Sequence, residues 1–139
     1  MKKYLLDTDI CIFFLKGRYG LVEKIDAVGK ENCFISEITI AELLFGAENS
    51  QNHVKHIKEV EFFEKEFKIL PINSSLRTYA KEKVRLRKNG TPVAEFDLLI
   101  AASALSNGLI AVTRNVSHFS KIQNLRIENW TQEGDNEFV

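Results

Sequence analysis

The sequence predicts an α/β fold in which a central parallel sheet of about five strands is covered by helices on both faces. Short apolar runs alternate with longer segments whose apolar residues recur at helical spacing. Such alternation favours a three-layer α/β/α arrangement, because a crossover helix joins each pair of parallel strands. With 139 residues, 45% of them hydrophobic, the chain has the size and composition of one domain.

The predicted strands are short apolar runs bounded by polar or turn residues. In chain order they are 3–6 (KYLL), 33–36 (CFIS), 68–72 (KILPI), 109–113 (LIAVT) and 125–130 (LRIENW). Proline has no backbone N–H, so Pro71 places the third strand at an edge of the sheet or ends it. We expect one domain over residues 1–132, followed by a polar C-terminal tail over residues 133–139.

The predicted helices fill the segments between these strands. They are 9–17, 20–31, 39–48, 52–67, 75–89 and 95–108, and the last two end at Asn-Gly pairs. In helix 75–89, Leu76, Ala80 and Val84 share one stripe, which we expect to face the core. A basic stripe on the same helix contains Arg77, Lys81, Arg85 and Lys88. This stripe could follow an RNA backbone or could simply be a solvated face.

Bulk charge excludes a strongly basic nucleic-acid-binding class. Nineteen Lys and Arg residues balance nineteen Asp and Glu residues, so a polyanion site would depend on local charge. No apolar run approaches the roughly 20 residues of a membrane span, and the N-terminal run is too short for a signal peptide. Cys11 and Cys33 lie in apolar runs, which indicates buried free thiols and a cytoplasmic location.

Three acids are expected at one edge of the sheet. Asp7 directly follows the first strand, Glu42 lies shortly after the second, and Asp97 opens the helix that leads into the fourth. Ligands of parallel sheets bind outside the carboxyl ends of the strands. Carboxylates held together repel unless a cation neutralises them, and Mg²⁺ prefers such oxygen ligands. We therefore expect the three acids to converge on a hard divalent cation.

Local explanations for the acids remain open at this stage. Asp9 could cap a helix that begins at Ile10. Glu42 stands three residues after Thr39, the spacing of a capping box. Asp97 could simply complement the positive end of its helix.

Four segments carry a resemblance to a known family. The chain resembles the VapC toxins of the PIN-domain family from about Tyr4 to Trp130, through LLDTDICIF, ISEITIAELLFGAE, EFDLLIAASALSNGLIAVTRN and LRIENW. The resemblance implies a PIN-like three-layer fold and a metal-dependent endoribonuclease that is the toxin of a type II toxin–antitoxin pair. Asp7, Glu42 and Asp97 match the three principal acids of that family.

Three positions depart from the family pattern. Asn115 stands where the family usually has an acid after the fourth strand, although Asn is common in this subgroup. His118 stands where many members have Asp or Glu before Phe, and Asp9 stands where the subgroup usually has Asn. One negative charge therefore lies on the other side of the predicted site. We expect one tightly held ion, and a second ion that arrives only with the substrate.

The resemblance also implies roles for particular side chains. Asp7 and Asp97 are expected to bind Mg²⁺ or Mn²⁺, directly or through water, and Glu42 is expected to orient the attacking water or to complete the metal's shell of ligands. Side chains expected to fix the carboxylates are Asp9, Thr113 and Asn115, and RNA contacts are expected from Arg114, Arg77, Lys81 and Arg85. Hydrolysis of this kind leaves a 5′-phosphate and a 3′-hydroxyl.

Partners follow from the same resemblance. A VapB-type antitoxin is expected to cover the acidic site, and the apolar runs CIFFLKG and LLFGA offer residues for its groove. Operator DNA would be reached only through the antitoxin. The resemblance implies a homodimer, and the LDT-x-IC start is similar to the subgroup that acts on transfer RNA.

Two other functions fit parts of the sequence. DTDIC approaches the start of haloacid-dehalogenase-like phosphatases, in which Asp7 would be the nucleophile and Asp9 its acid–base partner. However, Cys11 replaces the expected Thr or Val, and no acid pair follows the fourth strand. Alternatively, the domain could bind RNA or an antitoxin without cleavage, because the fourth acid is missing.

Overall fold

The computed structural model describes residues 1–132, so the predicted tail at 133–139 lies outside the described residues. Five parallel strands form one sheet in the order β3-β2-β1-β4-β5. Their bounds are β1 Tyr4–Leu6, β2 Cys33–Ser36, β3 Lys68–Leu70, β4 Ile110–Val112 and β5 Ile127–Glu128. The third strand ends before Pro71 and lies at an edge, as the proline predicted.

Seven helices surround this sheet within residues 1–132. They are α1 Thr8–Leu15, α2 Leu21–Val28, α3 Glu37–Glu48, α4 His53–Glu66, α5 Leu76–Lys88, α6 Glu95–Ser106 and α7 Val116–Phe119. The short helix α7 was not predicted, because four residues are too few to show a helical period. The other six lie where the sequence predicts them, with shifts of a few residues at their ends.

Successive side chains of the central strand point to opposite faces of the sheet and pack into two separate apolar layers. Tyr4 and Leu6 of β1 pack into one core cluster with residues of α1, α2 and α4. Leu5, between them, packs into a second cluster with residues of α5 and α6. This period of two, with burial on both faces, is expected of a parallel sheet covered by helices. The predicted three-layer α/β/α fold is therefore confirmed.

Strand order determines where a ligand can bind. From the central strand β1 the chain builds β2 and β3 on one side and then crosses to build β4 and β5 on the other. Leu6 of β1 lies opposite Val112 of β4, and the backbone N–H of Asp7 donates to the Val112 carbonyl at 2.9 Å. The reversal between β1 and β4 opens a crevice at their carboxyl ends, where Asp7 and Thr113 lie side by side.

The predicted core face of α5 is wrong. Leu76 and Val84 are 48% and 52% exposed, whereas Glu82 and Leu86 are buried. Glu82 tolerates burial, because Arg85 and the backbone N–H of Gln123 donate hydrogen bonds to its carboxylate and offset the cost of removing it from water. Apolar periodicity cannot anticipate a buried acid that is fully paired.

Both cysteines are buried free thiols, as predicted. Cys11 and Cys33 lie in the core cluster beside β1 and β2, and burial raises the pKa of each thiol. Within residues 1–132, no helix combines the length and the apolar character that a membrane crossing requires.

Candidate active site

Asp7 lies at the centre of the crevice. Its Oδ1 accepts a hydrogen bond from the backbone N–H of Thr8, and its Oδ2 accepts one from Thr113 Oγ1, both at 2.8 Å. The side chain is 4% exposed. Asp7 also caps α1, so Asp9 does not; Asp9 lies exposed in the first helical turn. The strand-to-helix turn thus holds a buried carboxylate in one orientation.

The buried position makes ionisation of Asp7 unfavourable. Burial raises the pKa of Asp7 to about 6, and the negative charges of Asp97 and Asp9 also raise it. The hydrogen bonds from Thr113 and Thr8 lower the pKa and so offset part of this increase. A carboxylate with this pKa gains from a nearby cation, because the cation stabilises the charged form.

Glu42 reaches the crevice from α3. Its Oε1 accepts a hydrogen bond from Thr8 Oγ1 at 2.6 Å, and the Thr8 hydroxyl also lies 2.9 Å from the Thr39 hydroxyl. The capping-box explanation is wrong, because α3 begins at Glu37 and Ser36 caps it by accepting from the Ile38 N–H. Burial raises the pKa of Glu42, and the charges of Asp97 and Asp9 raise it further.

Thr8 and Thr39 are also site residues; the sequence suggested Thr8 as a neighbour that could support the carboxylates, but it suggested Thr39 only as a helix cap. Thr39 is fully buried within α3, and Thr8 bridges it to Glu42. A threonine beside Asp7 and another one helical turn before Glu42 were the available signals. Neither residue type is diagnostic by itself, because hydroxyl groups near helix starts usually serve as caps.

Asp97 lies in the first turn of α6 and faces the loop after β4. Its Oδ2 accepts a hydrogen bond from Asn115 Nδ2 at 3.1 Å, and His118 Nδ1 lies 3.4 Å from the same oxygen. The backbone N–H of Asn115 donates to Thr113 Oγ1 at 2.9 Å. A continuous chain of hydrogen bonds therefore connects Asp7 with Asp97 through Thr113 and Asn115.

The three acids are electrostatic neighbours, but the prediction that all three converge on one cation is not confirmed. The charge of Asp97 raises the pKa of both Asp7 and Glu42. Among residues 1–132, no three His, Cys, Asp or Glu side chains converge closely enough to hold an ion by themselves. Mg²⁺ usually takes only one or two carboxylates and completes its shell with water and substrate oxygens. The oxygen donors of Asp7 and Asp97 fit that requirement.

The predicted basic residues have different surroundings. Arg114 is exposed between Thr113 and Asn115, and Arg77 and Lys81 are exposed on α5. Arg85 instead donates hydrogen bonds to the Glu82 carboxylate and, at 2.7 Å, to the Lys121 carbonyl. Its guanidinium is thus engaged within the fold and is a weaker candidate for an RNA contact.

An apolar groove opens beside Glu42. It has a volume of about 510 Å³ between α1, α3 and α4. Thr8 and Glu42 lie at one part of its wall, and most of the remainder is apolar, formed by Ile12, Leu15, Leu43, Ala47, Val60 and Phe63. The two apolar runs singled out in the sequence therefore contribute to one groove that includes Glu42 in its wall.

The chain matches a known family over most of its length. Residues 4–125 match the PIN domain family. Over 132 residues the chain is 35% identical to the tRNA(fMet)-specific endonuclease VapC of Shigella flexneri, which covers 94% of this chain and 100% of that protein. It is 36% identical to the Ribonuclease VapC2 of Haemophilus influenzae, and the match covers 94% of this chain and 99% of that protein.

Solved structures give the same result. The structure aligns with the crystal structure of DNA-bound VapBC from Salmonella typhimurium at a TM-score of 0.88 and 34% identity, covering 94% of this chain and 99% of that chain. It also aligns with the crystal structure of VapBC2 from Rickettsia felis bound to a promoter DNA fragment, at a TM-score of 0.84 and 28% identity. That alignment covers 91% of this chain and 98% of the other.

Proposed function

The chain belongs to the VapC ribonucleases of the PIN-domain family, and on that premise we propose that it is a divalent-metal-dependent endoribonuclease. We further propose that it is the toxin of a VapBC-type toxin–antitoxin pair. One observation carries the proposal: at the edge of the sheet where the strand order reverses, hydrogen bonds through Thr113 and Asn115 connect Asp7 with Asp97. Glu42 reaches the same edge through its hydrogen bond with Thr8, the residue next to Asp7.

Asp7 and Asp97 are the proposed ligands of one Mg²⁺ or Mn²⁺ ion. When bound, such an ion would supply positive charge for the phosphodiester as negative charge develops on it. The hydrogen bond from Thr113 and the one from Asn115 each fix an oxygen of one carboxylate, which reduces the reorganisation needed for binding.

Glu42 is the proposed general base. The Thr8 hydroxyl holds its Oε1, and its other oxygen accepts no hydrogen bond from residues 1–132. That oxygen could accept a proton from the attacking water. Burial and neighbouring acids raise the pKa of Glu42, which increases its basicity for this role. Cleavage by water attack on phosphorus would leave a 5′-phosphate and a 3′-hydroxyl.

RNA is the proposed substrate, and transfer RNA is the proposed class. The support is the name of the Shigella flexneri relative, a tRNA(fMet)-specific endonuclease. Because the net charge of the chain is zero, phosphate contacts must come from local cations. Arg114 at the rim of the crevice and the exposed Arg77 and Lys81 on α5 are the candidates.

A VapB-type antitoxin is the proposed partner. The support is that the aligned solved structures from Salmonella typhimurium and Rickettsia felis are VapBC complexes with DNA. The apolar groove beside Glu42 is a suitable surface for an antitoxin segment, because its occupant would also obstruct Glu42. We propose that operator DNA is contacted through the antitoxin and that the toxin forms a homodimer.

The test is cleavage of bulk transfer RNA by purified, antitoxin-free protein, with mapping of the cut ends. We expect cleavage in Mg²⁺ or Mn²⁺, loss of cleavage with a chelator, and a loss of at least about 100-fold in Asp7→Asn and Asp97→Asn. Asp9→Asn should retain activity, because Asp9 is exposed and bonds to neither ligand.

The remaining outcomes separate the alternatives. Binding of RNA without cleavage would support the non-catalytic binding domain. Loss of all activity in Asp9→Asn, together with hydrolysis of small phosphate esters, would support the phosphatase. Cleavage that persists with a chelator would contradict the metal dependence.

A further inference from the structure

Arg114 lies between the two residues that hold the candidate ligands. Thr113, before it, donates to Asp7, and Asn115, after it, donates to Asp97. The backbone of Arg114 is therefore fixed at the rim of the crevice, while its side chain is exposed. Within residues 1–132, no carboxylate forms an ion pair with this guanidinium.

Two aromatic rings hold the Arg114 side chain. Its guanidinium carbon lies 5.3 Å from the centroid of the Phe13 ring and 5.9 Å from that of the Tyr19 ring. Both distances are within the range of cation–π attraction. Nη1 also donates a long hydrogen bond, 3.4 Å, to the Tyr19 hydroxyl. The two rings pack edge to face with their centroids 5.1 Å apart, so they form one platform.

The backbone of Tyr19 adopts a conformation that is unfavourable for an aromatic residue, so the surrounding structure must hold this platform in place. Tyr19 has a φ of +59°, a left-handed conformation that aromatic residues rarely adopt. It lies in the loop between α1 and α2, and its ring is half-buried against Phe13 and Arg114. Strained positions of this kind recur where a side chain must be presented in one orientation.

We propose that Phe13 and Tyr19 are positioning residues that hold the Arg114 guanidinium at the rim of the acidic crevice to receive a phosphate of the bound RNA. The inference rests on the proposed ribonuclease function and identifies a determinant of substrate binding within it. Arginine stacked on a ring keeps most of its N–H donors free for a phosphate, and stacking reduces the freedom that binding would remove.

The test is binding of fluorescently labelled transfer RNA over a range of salt concentrations, with a chelator present to prevent cleavage. Arg114→Ala should weaken binding about tenfold and lower the salt slope, the change of log K with log salt, by about 0.7 to 0.9. Arg126→Ala is the matched control, because Arg126 is exposed just before β5, at the opposite edge of the sheet. It should change neither quantity.

The platform is tested by Tyr19→Asn, since Asn tolerates the left-handed conformation but lacks the ring. This variant should weaken binding about threefold in the wild-type background and should have no effect in the Arg114→Ala background. Tyr19→Phe should bind as wild type, because it keeps the ring. Phe13→Leu should behave as Tyr19→Asn does.

Two results would overturn the proposal while leaving the ribonuclease function intact. One is an Arg114→Ala variant with the salt slope of wild type. The other is a folded Tyr19→Asn variant that binds as wild type or weakens binding equally with and without Arg114. A wild-type protein that neither binds nor cleaves RNA would instead refute the proposed function and this inference together.

Discussion

At the scale of a single residue, the negative charge of Asp7 destabilises the fold, although the same carboxylate is a proposed ligand of the metal ion. The carboxylate is buried, and Asp97 and Asp9 add negative charge around it. The hydrogen bonds from Thr8 and Thr113 offset only part of this penalty, since the pKa of Asp7 remains raised to about 6. Without a bound cation, the folded protein is therefore less stable with a charged Asp7 than it would be with a neutral side chain at this position.

Replacing Asp7 with Asn should therefore stabilise the metal-free protein. The folded pKa of about 6 lies above the ordinary value of 3.8, so the folded state binds more protons between these values. Stability is thus lost as pH rises through that window. Asp7→Asn should gain about 2–3 kcal/mol over wild type at pH 7.5 and little at pH 3.5. Urea unfolding in the presence of a chelator would measure both differences.

Asp26→Asn serves as the control for this prediction. Asp26 lies exposed on α2, and its substitution should change the free energy of unfolding by less than about 0.5 kcal/mol at either pH. An Asp7→Asn variant that is less stable than wild type at pH 7.5, or equally stabilised at both pH values, would contradict the account.

Asn115 also matters at the scale of a single residue. It replaces the acid that the family resemblance leads one to expect, and its amide donates to Asp97 where an acid would repel it. His118 lies against the same two side chains. The sequence identified both substitutions, but only the structure shows that the amide connects Asp97 to the Thr113–Asp7 pair.

At the scale of elements, α5 is held to the rest of the fold by a buried acid. Glu82 is 10% exposed and Arg85 30%, and the Arg85 guanidinium extends the network to the Lys121 carbonyl. The Gln123 N–H also donates to Glu82, so one carboxylate connects α5 with the segment before β5. The hydrogen bonds from Arg85 lower the pKa of Glu82, so this contribution is lost as pH falls below about 4.5.

Glu82→Ala should destabilise the protein by about 2–3 kcal/mol, because it leaves Arg85 and the Gln123 N–H without their acceptor. Glu95→Ala is the matched control. Glu95 pairs with Lys83 at 2.9 Å but is 49% exposed, so its removal should cost less than about 1 kcal/mol. Chemical unfolding at pH 7 would compare the two variants, and equal losses would show that the Glu82 network does not hold α5.

The elements differ in how far the sequence could predict them. Buried strands and long helices follow from runs of apolar residues, and their order correctly predicts the layers. The face of α5 does not follow, because Glu82 is buried by pairing and Leu76 and Val84 are left exposed. The cap of α1 could not be decided from the sequence, since both Asp7 and Asp9 have the side chain that a cap requires, and the structure shows that it is Asp7.

At the scale of the whole molecule, strand order brings the site together. Asp7, Glu42 and Asp97 are far apart in the chain, and no local spacing could establish that they lie at the same edge of the sheet. The 3-2-1-4-5 order brings the ends of β1 and β4 together, and α3 and α6 approach the same edge. Thr113, which donates to Asp7, was among the residues expected to fix the carboxylates. The contact of Thr39 with Thr8 and Glu42 could not be predicted, because it depends on this tertiary arrangement.

Calorimetric titration of Mn²⁺ into the purified, metal-free protein tests the central claim most directly. We predict one binding event in wild type, at least about tenfold weaker binding in both Asp7→Asn and Asp97→Asn, and unchanged binding in Asp26→Asn. If Asp7→Asn and Asp97→Asn each bound Mn²⁺ as tightly as wild type, these acids would not share an ion, and the proposed metal site would be refuted.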